Sequence, residues 1–472
     1  MLNGFLICCI ILAIVKASTY GGASVQLFEW SWDDVANECE TVLGPKGYKA
    51  VQVSPPNEHI TGSPWWTRYQ PVSYNIISRS GTASEFSDMV KRCNAVNVHI
   101  IVDAVINHMA AGSGTGVGGS KFGSRTYPYY SPNDFHHDSN SVYTNCEVNN
   151  YQDKYNVQYC DLTHLPDLLT SSSYVQSQIV GYLKNLYSLG VKGIRIDAAK
   201  HQDAAELSAI TKQLPSDFYI GQEVIGSSGE AVQPSMYYSL GQVSEFYYAD
   251  YLDTNIINQN KMVYLQTFGE AWGLMPDKYA AVFLDNHDTQ RNGRAQLTYK
   301  SPALYTFANM FMLAWPYGNV RVMSSYYFSN TDAGPPSVGV QNGKYCMDGT
   351  NWVCEHRWVA IANMVNWRNA AGTSEVSHWQ GGSANQIAFS RGGAAFIAFN
   401  RDESSSWSAT LATGLPAGSY CNVVVSDTCV SFSSNDSTVG SMAVVVVGSD
   451  GKASLSVPTL NAVAIHVNAK ST

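Results

Sequence analysis

What this sequence has little of narrows the field before any motif is read. Charged side chains are scarce, at 14% of 472 residues, and the basic ones are the fewer: 28 Lys plus Arg against 37 Asp plus Glu, a net charge of -9. A chain without a basic excess lacks the field that gathers phosphate backbones, so no nucleic-acid partner is expected. Beyond the first fifteen residues no apolar run is long enough to span a bilayer, so no membrane partner is expected either. There is no CxxC pair to hold zinc, and no Gly-Lys-Ser/Thr follows the glycine cluster GSGTGVGGS (112 to 120), which excludes a phosphate loop. Internal repeats and low-complexity tails are absent too.

The one strongly apolar stretch, FLICCIILAIV (5 to 15), is too short for a membrane span and runs into Val15-Lys16-Ala17, which suits signal cleavage. Residues 1-17 therefore read as a secretory signal, and the product as a secreted, extracellular protein. Of ten cysteines, Cys8 and Cys9 fall in that signal, leaving eight, an even number in an exported chain, which favours disulfides. Local spacing pairs Cys146 with Cys160, Cys346 with Cys354 and Cys421 with Cys429, leaving Cys39 with Cys93.

Present in plenty are hydrophobic residues, 45%, and aromatic ones, 12%, enough for one large domain with smaller attachments. SVQLFEW (24 to 30), YKAVQVSPP (48 to 56), VHIIVD (98 to 103), GIRID (193 to 197), FYIGQEVI (218 to 225), QVSEFYY (242 to 248), AVFLD (281 to 285) and a segment within FMLAWPYGNVRVMSS (311 to 325) read as strands. Helical spacing over Trp32 to Leu43, 84 to 96 and 174 to 189 separates the early ones. Strand and helix in alternation imply a parallel sheet with covering helices, and about eight strands close a (β/α)8 TIM barrel. About seventy residues rich in Gly, Ser, Asn and Tyr interrupt the rhythm after the third strand, and their glycine cluster reads as a mobile loop. From about residue 375 short alternating runs (QIAFSR, AAFIAFN, YCNVVVS, SMAVVVVG, AVAIHVN) read as an all-β sandwich, with a glycosylation sequon at Asn435. The expected division is a barrel of residues 18-106 and 171-374, a loop-rich insert domain of 107-170, and a C-terminal β-sandwich of 375-472.

Chemistry centres on GIRIDAAKH (193 to 201). In a strand of period two, Ile194 and Ile196 face one side and Arg195 and Asp197 the other. Three further strand-like runs end in acids, around Asp103, Glu223 and Asp285 to Asp288, where a barrel places its catalytic groups. Two carboxyl groups flanking a glycosidic bond can hydrolyse it, and Asp197, Glu223 and Asp288 are the candidates. The adjacent Trp65 and Trp66, in a Pro-flanked loop, are suited to stacking on sugar rings.

Taken in order, DAVINH (103 to 108), GIRIDAAKH, EVI (223 to 225) and FLDNHD (283 to 288) resemble the four signature regions of the α-amylase family of glycoside hydrolases. LFEW, VQVSPPNEH, WWTRYQPVSY, WVCEHRW and LPAGSYC further resemble its animal-type, chloride-dependent branch. The resemblance implies an α-amylase that cuts internal α-1,4 bonds of starch and glycogen, an α-glucan polysaccharide partner, with retention through a covalent glycosyl-enzyme, acting as a monomer. It implies Asp197 as nucleophile, ionised beside Arg195, Glu223 as general acid/base with a raised pKa, and Asp288 as a third acid that binds and distorts the sugar. Trp65, Trp66, Tyr69, Gln70, His108, Lys200, His201 and His287 would contact substrate. Ca²⁺ would be held by Asn107, Asp167 and the main-chain carbonyls of Gln158 and His201, with glutamine at 158 where vertebrate relatives have arginine. Chloride would sit at Arg195, Asn286 and Arg321. Two departures stand out: Ile77 replaces a bridging cysteine of some relatives, and RNGRAQLTYK (291 to 300) replaces a glycine-rich mobile loop.

Overall fold

Runs that are apolar on both faces form strands covered on both faces. In the computed structural model, which describes residues 22–426 and 443–471, eight parallel strands close into a barrel: Ala23–Leu27, Ala50–Val53, His99–Ala104, Gly193–Ile196, Tyr219–Gln222, Gln242–Ser244, Ala280–Val282 and Asn319–Ser324. Each pairs with its neighbours in sequence, and the first closes on the last with Ser24 opposite Arg321. Covering helices include Trp32–Glu38, Ala83–Ala95, Ser173–Ser188, Phe246–Ile257 and Pro302–Ala314. Thr82 and Glu85 form a reciprocal capping box that starts the second of these. Cys39 and Cys93 bridge the helical segments that follow the first two strands. No helix among the described residues is long and apolar enough to cross a membrane.

Three local readings are corrected. QVSEFYY is strand only over Gln242–Ser244; the Glu245 side chain then accepts from the Tyr247 N–H and caps helix Phe246–Ile257, so capping overrides the β preference of the aromatics. The glycine cluster, read as a mobile loop, forms a short hairpin of Ser113–Thr115 with Lys121–Gly123. Buried Glu58 grips that hairpin, accepting from the Gly118 and Ser120 N–H groups at 3.0 Å each and from the Ser73 hydroxyl at 2.6 Å. Glycine is needed because a Cβ on Gly116 would lie 2.6 Å from a Glu58 oxygen. In YCNVVVS only the first two residues belong to a strand, Gly418–Cys421, and Val423 to Val425 form a turn. Strands Val376–Gly381, Trp407–Ala412 and Lys452–Val457 had no counterpart in the sequence reading.

The C-terminal region is all-β. Strands Val376–Gly381, Gln386–Arg391, Ala395–Asn400 and Asn461–His466 form one antiparallel sheet, flanked by the pairs Trp407–Ala412 with Lys452–Val457 and Gly418–Cys421 with Val444–Val447. Period two divides its faces: Ile387, Phe389, Ile397 and Phe399 join the barrel core, while Ala388, Phe396 and Ala398 pack on Trp407, Leu411 and Leu455. Disulfides join Cys146 to Cys160 within the insert and Cys346 to Cys354 after the last barrel strand. The secretory signal, Cys429 and with it the Cys421–Cys429 pairing, and Asn435 lie outside the described residues.

Candidate active site

Register builds the centre. Arg195, on the fourth strand, lies directly opposite Asp103 on the third, and both side chains turn into the barrel. One guanidinium nitrogen of Arg195 donates to Asp103 (2.6 Å) and Asp197 (2.8 Å), and the other lies 2.8 Å from Glu223. Tyr69 donates its hydroxyl to the second Asp103 oxygen at 2.9 Å. Directly after Asp197, Ala198 adopts the left-handed conformation (φ 49°), which a side-chain-bearing residue seldom takes, and its N–H donates to Glu223 at 3.0 Å. The bend that ends the fourth strand thus also orients the acid of the fifth.

Three carboxyl groups, Asp103, Asp197 and Glu223, share one buried guanidinium, and Asp288 interacts electrostatically with the same cluster. Burial raises the Asp197 carboxyl well above its ordinary range; Arg195 opposes the rise, and Glu223 and Asp103 add to it. Asp103 is raised by burial against the same opposing Arg195. Asp288 is pushed up to about 7, by burial first and then by Glu223, with Arg195 again opposing. Arg195, which the sequence places beside Asp197, is thus shared among Asp103, Asp197 and Glu223.

His287 lies flat between Phe28 (4.9 Å between centroids) and Tyr69 (5.0 Å). Burial, then Arg195, keep its pKa well below the ordinary value, so the ring is neutral. The Gln26 amide donates to its Nδ1 at 3.0 Å, which leaves the proton on Nε2, 3.2 Å from Asp288. Trp65 packs edge-on against Tyr69 and His287, while Trp66 on the same turn is exposed. Gln70 accepts from the Ala111 N–H at 3.2 Å. Both ring nitrogens of buried His108 are engaged, with the Tyr69 carbonyl at 3.0 Å and the Asn107 amide at 3.2 Å, so a sugar contact there would have to displace one of them. A cavity of about 320 Å³ is walled by Ala198, Lys200, His201 and Glu223 together with Tyr151 and Glu230. Lys200 reaches Glu230 at 2.5 Å and lies 4.5 Å from the Tyr151 ring centroid.

Glu230, Tyr151, Gln26 and Arg291 escaped the sequence reading. Arg291 donates to the His287 carbonyl at 2.7 Å and sits over the rings of Phe28, Trp65, Tyr326 and Phe328. None of the four stands in a strand-end acid motif, and only the alternation of Gln26 within its strand hinted that it faces inward.

The residues expected at calcium fit a hard cation. Asn107 and Asp167 meet where the insert leaves and rejoins the barrel, with the Leu168 N–H on the Asn107 carbonyl at 3.0 Å. The Asn107 Oδ1 is buried without a hydrogen-bond partner, and buried Asp167 holds one carboxylate oxygen against His136 Nδ1 at 2.7 Å, so both offer the oxygen ligands a hard cation takes. Gln158 and His201 come together nearby, through the Gln158 amide on the Gln202 carbonyl (3.1 Å) and His201 Nδ1 against the Val157 carbonyl (2.8 Å). For chloride, Arg195 and Arg321 line one cavity inside the barrel with Ser24, Gln52, Gln222 and Ser244, about 10 Å³, the space of one small particle. Asn286 is not in that lining; its Oδ1 accepts from the Asp288 and Thr289 N–H groups.

Carboxyl groups delivered from the ends of different strands, facing a cleft walled by aromatic rings and amides, are the equipment of a barrel glycoside hydrolase. Similarity to known proteins agrees and narrows the class. Residues 54–220 match the α-amylase catalytic domain and residues 378–468 the α-amylase C-terminal all-β domain. The chain is 46% identical to an α-amylase of Streptomyces violaceus, over 94% of this chain and 73% of that protein. It is 43% identical to pancreatic α-amylase 2a5 of Mus musculus, over 95% of each. The crystal structure of a variant of α-amylase I from Eisenia fetida with maltohexaose superposes with a TM-score of 0.86 at 39% identity, covering 94% of this chain and 97% of that one. The chain belongs to the α-amylase family of glycoside hydrolases.

Proposed function

We propose that this protein is a secreted, monomeric α-amylase that cuts internal α-1,4-glucosidic bonds of starch and glycogen with retention of configuration. The observation that carries the reading is Arg195, whose two terminal nitrogens hold Asp197 and Glu223 at 2.8 Å each and so fix the two carboxyl groups relative to one another. In this assignment the Asp197 carboxylate attacks the anomeric carbon while Glu223 protonates the departing glycosidic oxygen. Glu223 then takes a proton from the water that releases the sugar. Asp288, with the neutral His287 beside it, binds the hydroxyls of the distorted ring. Tyr69, Trp65, Trp66, Gln70 and His108 form one wall of the cleft, and Lys200 and His201 the other. Asn107, Asp167 and the carbonyls of Gln158 and His201 would hold Ca²⁺, which fastens the insert to the barrel. Arg195 and Arg321, with Asn286 nearby, would hold chloride, a counter-charge for the two guanidinium groups. The working division is a barrel of 18-106 and 171-374, an insert of 107-170 and a C-terminal domain of 375-472, after removal of residues 1-17.

The test is starch hydrolysis by the wild type, Asp197→Asn and Glu223→Gln, followed by iodine colour and by reducing ends. Iodine colour should fall before much glucose appears in the wild type, and each variant should lose on the order of a thousandfold or more in rate with the fold intact. Near-normal turnover in either variant would remove that residue from the chemistry; glucose as the first product would replace internal cleavage by attack at chain ends.

A further inference from the structure

Away from the cleft, a groove of about 610 Å³ runs between the segment Tyr74 to Ile76, the insert at Tyr129, and the outer face of helix Ser173–Ser188. It shares no lining residue with the cavity beside Glu223. We propose that this groove is a second binding site for a neutral α-glucan chain, one that holds polymeric substrate without cutting it. The inference rests on the α-glucan specificity proposed above.

Three observations carry it. The lining contains no acid and no base: Tyr74, Asn75, Ile76, Ala83, Tyr129, Ser177, Gln178, Gly181, Tyr182, Asn185 and Leu189, in a protein whose net charge is -9. Such a wall matches a ligand without charge. It also joins ring to amide. Half-buried Tyr129 stacks on Tyr74 at 6.1 Å, which itself stacks on Tyr182 at 4.7 Å, and the Tyr129 hydroxyl donates to Asn75 Oδ1 at 2.8 Å, fixing that amide at the rim. A pyranose has an apolar C–H face for the ring and a rim of hydroxyls for Asn75, Gln178, Asn185 and Ser177. A purely apolar segment would leave the Gln178 and Asn185 amides without partners on burial.

The third observation is Gly181. It stands in the interior of a sixteen-residue helix, where glycine is less favourable than alanine. A Cβ there would meet nothing within 4 Å, so the protein's own packing does not require glycine. The vacancy opens onto the groove, where it admits a ligand close to the helix backbone.

The experiment uses the full-length enzyme and two probes, insoluble starch granules and a short soluble chromogenic maltoside. Gly181→Trp fills the groove and Tyr129→Ala removes its half-buried ring; circular dichroism and melting establish that each is folded, and Gln178→Ala replaces any that is not. The expected result is granule adsorption weakened roughly three- to tenfold in each variant, with kcat/KM on the short maltoside unchanged. Unchanged granule adsorption in folded variants overturns the proposal. So does a change confined to self-association in sedimentation, which would make a second copy of the chain the occupant. A wild type inert on the short maltoside would count against the proposed function, whereas the adsorption comparison would still decide the groove.

Discussion

Glu355, in the WVCEHRW stretch, offers a quantitative test of how this interior handles acid. Its side chain is fully buried; one oxygen accepts from the Ser325 N–H at 2.7 Å and the other has no hydrogen-bond partner. Burial, opposed by the Ser325 hydrogen bond and reinforced by Asp285, pushes its pKa up to about 8 from an ordinary 4.5. Between those two values the folded protein keeps a proton that the unfolded chain has released. The stabilisation is therefore complete below about pH 4.5 and is lost as pH rises towards 8. At about 1.4 kcal/mol per pH unit the loss reaches about 3 kcal/mol by pH 7. Glu355→Gln keeps the acceptor for Ser325 and abolishes the titration. Unfolding entropy of about 2 cal/mol/K per residue makes 1 kcal/mol worth on the order of 1 °C in a chain of this length, so the variant should melt on the order of 3 °C above the wild type at pH 7. Near pH 5 the two should nearly coincide. The assay is thermal unfolding of both proteins at pH 5, 6, 7 and 8 at constant ionic strength; pH dependences that run parallel would refute the reasoning.

Three further outcomes follow from the same structure. An anion between Arg195 and Arg321 competes with the surrounding carboxylates for positive charge, so chloride should raise the alkaline limb of the pH-rate profile, and Arg321→Gln should weaken that dependence; identical wild-type profiles with and without chloride, at matched ionic strength, would remove the anion site. Chelation should lower the melting temperature and expose residues 107 to 170 to proteases, and an unchanged melt after metal loss confirmed by elemental analysis would refute the calcium assignment. Gly116→Ala sets a methyl group 2.6 Å from the Glu58 carboxylate and should destabilise by about 1 to 3 kcal/mol, with new proteolytic nicks in the hairpin at 112 to 123; a neutral effect in denaturant titration would mean that Glu58 yields without cost.

How far the sequence could be read depended on the range of the interactions that decide each element. The eight barrel strands were legible because each is a short run rich in apolar and β-branched residues set between helical spacings, and Arg195 and Asp197 were placed on one face by alternation alone. Trp407–Ala412 and Lys452–Val457 were not, because their outer residues are Ser, Thr and Lys and only tertiary pairing makes them strands. The acids at strand ends could be picked out singly, but the sharing of Arg195 among three of them could not, since it depends on register between separate strands. Arg291 and Glu230 illustrate the other limit: one stands on the short helix Thr289–Asn292 and the other in a loop, and no local pattern distinguishes either from a solvated charge.

Barrel closure sets the order in which the chain can be completed during synthesis. The first strand has two parallel neighbours, one beginning at Ala50 and the other at Asn319. The nascent polypeptide therefore carries one uncovered strand edge from the start of the sheet until its eighth strand has emerged, at about 5 to 20 residues per second. Such an edge is a template for pairing with another chain. The Cys39–Cys93 bridge needs only the first 93 residues, so oxidation can lock the first two helical segments together while most of the barrel is still unmade. Early oxidation would thus hold the first two strand–helix units together while that edge waits for Asn319–Ser324, and yield in a reducing compartment should suffer more than the stability of the finished enzyme.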